Sequence, residues 1–219
     1  MEEDLQSRVE HLGSQIEKLC ERLATAGYIF QYPDEVFPGP EADSVDAIAR
    51  IEREAGALKR APVNPNALLQ EVASAHRKMA ELKHVTIELE DGAAGPPVEL
   101  DAEQIAIVLG NLVSNAIRHS HDGGHVWLSA QADEQGHVLV VRDDGEGIAP
   151  EQLPHIFERH WSGSEPSTLK GRHGLGLAIA KEIVTRHEGT LDVETKRGAG
   201  TTFRLRIPHS AQPSASGSA

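Results

Sequence analysis

Residues 101–148 read DAEQIAIVLG NLVSNAIRHS HDGGHVWLSA QADEQGHVLV VRDDGEGI, and this stretch decides the fold. Its first part, 101–119, is the strongest helical pattern in the chain, opened by Asp101 with Gln104 three positions on, a pair resembling a capping box. Asn111 and Asn115 lie i, i+4 within it, so they share one face amid Leu109, Leu112, Val113, Ala116 and Ile117. Two β segments follow, 125–131 and 137–142, joined by a turn at Asp133-Glu134-Gln135-Gly136. The second strand runs straight into Asp143-Asp144-Gly145-Glu146-Gly147. Helix, hairpin and glycine-rich loop in that order predict a mixed α/β or α+β layer rather than a bundle.

The pattern extends to both sides. Upstream, Leu68, Leu69, Val72, Met79 and Leu82 predict a helix over 66–82, and the alternation Val85, Ile87, Leu89 predicts a strand. Downstream come a helix over 175–187 and a hairpin of 190–195 with 201–207. Ala61-Pro62-Val63-Asn64-Pro65 reads as a linker, and before it the period changes. Leu5, Val9, Leu12, Ile16, Leu19 and Leu23 are spaced 4-3-4-3-4, the seam of a helix that packs on helices. After a break rich in Pro and Gly, Val45, Ile48, Ile51, Ala55 and Leu58 form a second stripe, with Ser44 as its N-cap. The expected organisation is therefore an antiparallel helical hairpin over 1–60, which dimerises into a four-helix bundle, a linker at 61–65, a domain over 66–208 and a disordered tail over 209–219.

Composition narrows the function. With 21 Lys+Arg against 34 Asp+Glu, the net charge of −13 repels nucleic acid and anionic lipid. The lone Cys20 makes neither an intrachain disulfide nor a zinc site. No apolar run reaches the ~20 residues of a membrane span, and the acidic start MEEDLQSR is unlike a signal peptide. A cytoplasmic chain, whole or the soluble part of something longer, is expected.

Three elements carry chemistry. A carboxylate at a strand end followed by glycines, as at Asp143, Gly145 and Gly147, can accept an exocyclic amine, although the same pattern makes a plain turn. Gly174-Leu175-Gly176-Leu177 opens a helix whose free N–H groups suit phosphate, or simply allows close packing. The amides of Asn111 and Asn115 offer hard oxygens to Mg²⁺, which commonly travels with nucleotide phosphates. His119, His121, Asp122 and His125 cluster around a Gly-Gly turn as a weaker metal candidate.

Taken in order, Asn111-Leu-Val-Ser-Asn115, Asp143-Asp-Gly145-Glu-Gly147, Ile156-Phe157-Glu-Arg159, Gly174-Leu-Gly176-Leu and Gly200-Thr201-Thr202-Phe203 resemble the catalytic ATP-binding domain of bacterial sensor histidine kinases, in the Bergerat-fold superfamily. The resemblance covers about 62–208 and implies an α/β sandwich with a mixed sheet of about five strands under three helices. It implies ATP and Mg²⁺ as ligands. Asp143 would hold the adenine amine, Gly145 and Gly147 would shape the loop, and Asn115, assisted by Asn111, would coordinate Mg²⁺. Arg118 would face the phosphates, Gly174, Leu175 and Gly176 would seat them, and Thr201 belongs to the last box. Phe157 and Arg159 would pack beneath a lid over 160–173, from which Lys170 or Arg172 would reach the γ-phosphate. The ATP-hydrolysing branches of the superfamily place a Glu general base at the position of Asn111. An Asn takes no proton from water, so phosphoryl transfer to a side chain is the implied reaction.

The family's usual phosphoacceptor box, a His followed at once by an acidic residue and by Pro five positions after the His, is missing. In the first hairpin the only His is His11, preceded by Glu10, with Ile16 where the Pro would stand. His11 is thus either an acceptor in an atypical box or a solvated helix residue. The resemblance implies a homodimer that passes its phosphoryl group to the receiver domain of a response regulator. Two alternatives stand beside it: a kinase of the same fold acting in trans on Ser or Thr, and a nucleotide-binding dimeric adaptor without autokinase activity.

Overall fold

Asn64 and Pro65 start the first helix. Asn64 is extended (φ −79°, ψ 116°), and its side chain accepts hydrogen bonds from the N–H groups of Asn66 and Ala67 at 3.0 and 3.3 Å. Pro65 sits at the first helical position, where its missing N–H costs nothing. Helix α1, Pro65–Leu82, buries Leu68, Leu69, Val72, His76 and Ala80 as one stripe. Helix α2, Ala102–His119, begins at Asp101, whose Oδ1 accepts from the Gln104 N–H at 3.2 Å. Helix α3 is Gly176–Arg186. In this computed structural model the described residues are 58–158 and 176–209. The expected N-terminal hairpin, apart from residues 58–60, the lid over 160–173 and the tail beyond His209 lie outside them.

Five strands make the main sheet in the order β2–β4–β5–β7–β6, with β2 Thr86–Leu89, β4 His125–Asp133, β5 Gly136–Asp143, β6 Thr190–Thr195 and β7 Thr201–Pro208. Only β2 and β4 pair in parallel; the other neighbours are antiparallel, so the sheet is mixed. Alternation assigns its faces. Val126, Leu128 and Ala130, Leu139 and Val141, and Phe203, Leu205 and Ile207 are buried beneath the three helices. Trp127, Val138, Val140, Arg142 and Arg204 stand on the other face. The α+β class, the mixed five-stranded sheet and the three helices expected from sequence are all present among the described residues. The β4–β5 turn also falls as expected: Asp133 and Gly136 are paired, and Asp133 Oδ1 accepts from the N–H groups of Gln135 and Gly136.

The stretch read as a linker has structure of its own. Ala61–Val63 forms β1, antiparallel to β3, Val98–Leu100, and Asn64 then caps α1. Alternation cannot reveal a three-residue strand whose first two residues are exposed. No helix among the described residues is long and apolar enough to cross a membrane.

Candidate functional site

Helix α2 is the spine of the site. Asn111, Asn115 and His119 follow at i, i+4 and i+8 on one face; Asn111 and His119 are each reached by a different part of the chain, Asn115 by Arg118 of the same helix. Gly176, the first residue of α3, lies against Asn111 so closely that a Cβ there would stand 3.0 Å from Asn111 Oδ1. One turn on, Arg118 Nη1 donates to Asn115 Oδ1 at 3.4 Å, and burial pushes this guanidinium below its ordinary pKa. At the end of α2 the His119 carbonyl accepts from the Glu146 N–H at 3.1 Å, while His119 Nδ1 lies 2.6 Å from Glu146 Oε1. A Cβ at Gly145 would collide with that same His119 carbonyl, so glycine is required for the loop to close on the helix.

Asp143 ends β5 and is 6% exposed. Its Oδ1 is held from two sides, by the Gly145 N–H at 2.9 Å and the Thr201 N–H at 3.2 Å. Its Oδ2 takes no hydrogen bond from the described residues. Among them, the one fully sealed side-chain polar atom lacking a partner is His137 Nδ1, so Asp143 Oδ2 is not completely sealed. Desolvation pushes the Asp143 carboxyl above its ordinary pKa; the Gly145 and Thr201 N–H groups and nearby His119 oppose this, and Asp144 adds to it. The loop is braced from behind by Thr195. Its hydroxyl accepts from the Ile148 N–H at 2.9 Å, donates to the Gly200 carbonyl at 3.0 Å and meets Thr201 Oγ1 at 3.1 Å.

The structure therefore gathers Asn111, Asn115, Arg118, Gly145 and Gly176 along α2, with Asp143 at the end of β5, Thr201 paired to it at the start of β7 and Gly147 on the loop after β5. Phe157 packs against the core's edge, with the Lys181 ammonium 4.9 Å from its ring centroid. His11, Arg159, Lys170, Arg172, Gly174 and Leu175 lie outside the described residues. Sequence reading passed over Thr195, the His119–Glu146 pair and Lys181. The Thr195–Thr201 cross-strand pair at the base of the β6–β7 hairpin was the available signal for the first.

Two other candidates dissolve. The His119–His125 cluster is dispersed into separate pairs, His119 with Glu146, Asp122 with His84 and His125 with Glu88. No group of three or more His, Cys, Asp or Glu side chains suited to a metal occurs among the described residues. The concavity of about 500 Å³ on the outer sheet face is lined by Arg142, Arg204 and Arg206, each paired with a carboxylate, and lies across the sheet from α2. For a hard cation the fitting donors are the half-exposed carboxamides of Asn111 and Asn115 on α2.

Comparison with known proteins agrees with this geometry. Sensor histidine kinase RppB of Synechocystis is 32% identical over 162 residues, 74% of this chain and 36% of that protein. Sensor-like histidine kinase SenX3 of Mycobacterium tuberculosis is 34% identical over 171 residues, 76% of this chain and 41% of its own. The chain thus spans about two fifths or less of the curated relatives it matches here. Among solved structures, the nucleotide-free catalytic domain of histidine kinase ThkA aligns with a TM-score of 0.59 at 25% identity, covering 68% of this chain and 95% of that domain. The mycobacterial sensor histidine kinase MprB aligns at 0.57 and 27%, covering 68% and 97%. Residues 100–211 match the family described as histidine kinase-, DNA gyrase B- and HSP90-like ATPases, and the chain belongs to that family.

Proposed function

We propose that this chain is the catalytic core of an ATP-dependent protein histidine kinase in two-component signalling. The carrying observation is Asp143, a buried carboxylate with one oxygen locked by two backbone donors and the other without a hydrogen bond from the described residues. That arrangement suits the exocyclic amine of adenine, a donor that a fixed acceptor selects. Asn111 with Gly176 packed against it, and Asn115 and Arg118 one turn on, then supply the groups for the phosphates. Asn111 and Asn115 would hold Mg²⁺, which when bound neutralises charge on the phosphates.

The kinase names of the relatives and the Asn at 111 favour transfer over hydrolysis. A carboxamide cannot take a proton from water, so the γ-phosphoryl group goes to a side-chain nucleophile. A neutral imidazole nitrogen attacks the γ-phosphorus, the bond to the β,γ-bridging oxygen breaks, and ADP leaves with the electron pair. His11 is the acceptor in this reading, in a homodimer assembled through the first 60 residues. A response-regulator Asp is the next recipient.

Incubation of the full chain with γ-labelled Mg-ATP, in parallel with His11→Gln, tests this. Acid-labile, alkali-stable label that vanishes in the variant is expected. Alkali-labile label, or label only on an added partner protein, would point to the trans-acting Ser/Thr reading. No label with intact ATP binding would contradict the kinase assignment.

A further inference from the structure

At the end of α2 and α3 remote from the glycine motifs lies a second cluster. Gly176 meets Asn111 at one end of the helix pair, and Asp101 meets His187 at the other, so the helices run antiparallel. About ten residues, or ~15 Å of helix, separate the two ends. His187 is fully buried: its Nδ1–H donates to the Ile183 carbonyl at 2.8 Å, and its Nε2 accepts the Asp101 N–H at 3.2 Å. Gln104 on α2 accepts from Arg186 on α3 at 3.2 Å.

The chain arriving from residues 1–57 is fastened onto this same cluster. Asp101 Oδ2 accepts the Lys59 N–H at 3.0 Å, while its Oδ1 is occupied capping α2. Arg60 Nη2 reaches Glu188 Oε1 at 3.1 Å, just past α3, and Ala61–Val63 zips onto Val98–Leu100. Helix capping uses one carboxylate oxygen and would be served equally by Asn or Ser. The second oxygen takes the incoming segment at 3.0 Å, across 42 positions of sequence, and more distantly the Gln104 Nε2 amide at 3.4 Å.

We infer that Asp101 is a positioning residue for the phosphoryl transfer proposed above: it anchors the segment entering from the N-terminal part of the chain to both helices that carry the nucleotide motifs. The anchor fixes where that segment leaves the ATP-binding domain, and so its reach toward the nucleotide. This inference rests on the kinase reading. It makes Asp101 matter to the rate of transfer and not to nucleotide affinity, because the cluster touches neither Asp143 nor Asn111.

The test uses the full chain with γ-labelled Mg-ATP. In Asp101→Asn one side-chain oxygen still caps α2, but an amide replaces the acceptor of the Lys59 N–H and of the longer Gln104 Nε2 contact. Label incorporation at saturating ATP should fall about fivefold or more, since loosening a tether dilutes the productive arrangement. The KM for ATP should stay within about twofold, and thermal denaturation should show the variant fully folded at the assay temperature, because an unfolded fraction would also lower incorporation at constant KM. Arg60→Ala loosens the same segment through an exposed pair too weak to endanger folding, and should slow transfer roughly twofold with KM unchanged. The double variant should be no slower than Asp101→Asn alone, as expected of two contacts on one tether. Unchanged incorporation in both variants, or a KM rising in step with the lost rate, would overturn the inference. Absence of label in the unsubstituted chain would instead overturn the kinase reading, and this inference with it.

Discussion

Gly176 and Asn111, 65 positions apart in sequence, meet so closely that a methyl group on the glycine would lie 3.0 Å from the Asn111 amide oxygen. This contact joins the start of α3 to the face of α2 that carries both asparagines. Gly176→Ala adds helix propensity worth up to about 1 kcal/mol, so the fold should be no less stable. The methyl must displace the Asn111 amide or shift α3. Mg-ATP affinity should therefore weaken roughly three- to tenfold, or about 0.7–1.4 kcal/mol, while the thermal midpoint holds or rises. Titration calorimetry beside thermal denaturation reads both; a parallel loss of stability and affinity would mean that Gly176 serves packing alone.

Asp143 gives binding a pH dependence. Desolvation raises its pKa above the ordinary 3.8, whereas an adenine amine requires the ionised acceptor. Affinity should thus fall on acidification, with the fall beginning above the usual carboxylate range. In the free protein the sign is opposite: a raised carboxyl contributes stability below its unfolded pKa and loses it as pH rises through the folded one. Nucleotide binding in weakly acidic buffer should accordingly release protons, measurable by calorimetry in buffers of differing ionisation enthalpy. Binding heats independent of buffer throughout that range would contradict the assigned acceptor.

His187 sets a second dependence, on stability. Burial lowers its pKa below 6.5, and its Nε2 must remain unprotonated to accept the Asp101 N–H. A depressed histidine contributes stability above its unfolded pKa and loses it as pH falls toward the folded value, so denaturation midpoints should drop as pH decreases from about 6.5. Buried His76, also depressed by desolvation, acts in the same direction. His187→Phe leaves the Asp101 N–H without its acceptor and should cost about 1–3 kcal/mol at neutral pH. It should also flatten the acid slope, which denaturant titrations at several pH values would show.

What could be read from sequence follows physical locality. The Asp101–Gln104 pair was legible as a helix start, and Asp101 Oδ1 does cap the Gln104 N–H. The reciprocal half of a capping box was not: the Asp101 N–H turns to His187, 86 positions away, which no local pattern encodes. Asp133 and Gly136 announced their turn because the bonds that form it are local. The glycine motifs were legible as a set, but why Gly145 must be glycine depends on the His119 carbonyl arriving from α2. Thr195 was passed over because its three bonds gather Ile148, Gly200 and Thr201 only after β6 and β7 pair.

The most direct test of the nucleotide site exchanges one atom pair. With Oδ1 of residue 143 held by the Gly145 and Thr201 N–H groups, Asp143→Asn keeps its oxygen there and turns an amide N–H₂ toward the ligand. An amide donor facing the adenine amine is a mismatch, whereas guanine presents an acceptor oxygen at the same position. Equilibrium binding of ATP and GTP to both proteins should show ATP affinity falling at least tenfold, on the order of 1.4 kcal/mol or more, with the ATP-to-GTP preference narrowed. ATP affinity unchanged in Asp143→Asn would contradict the site.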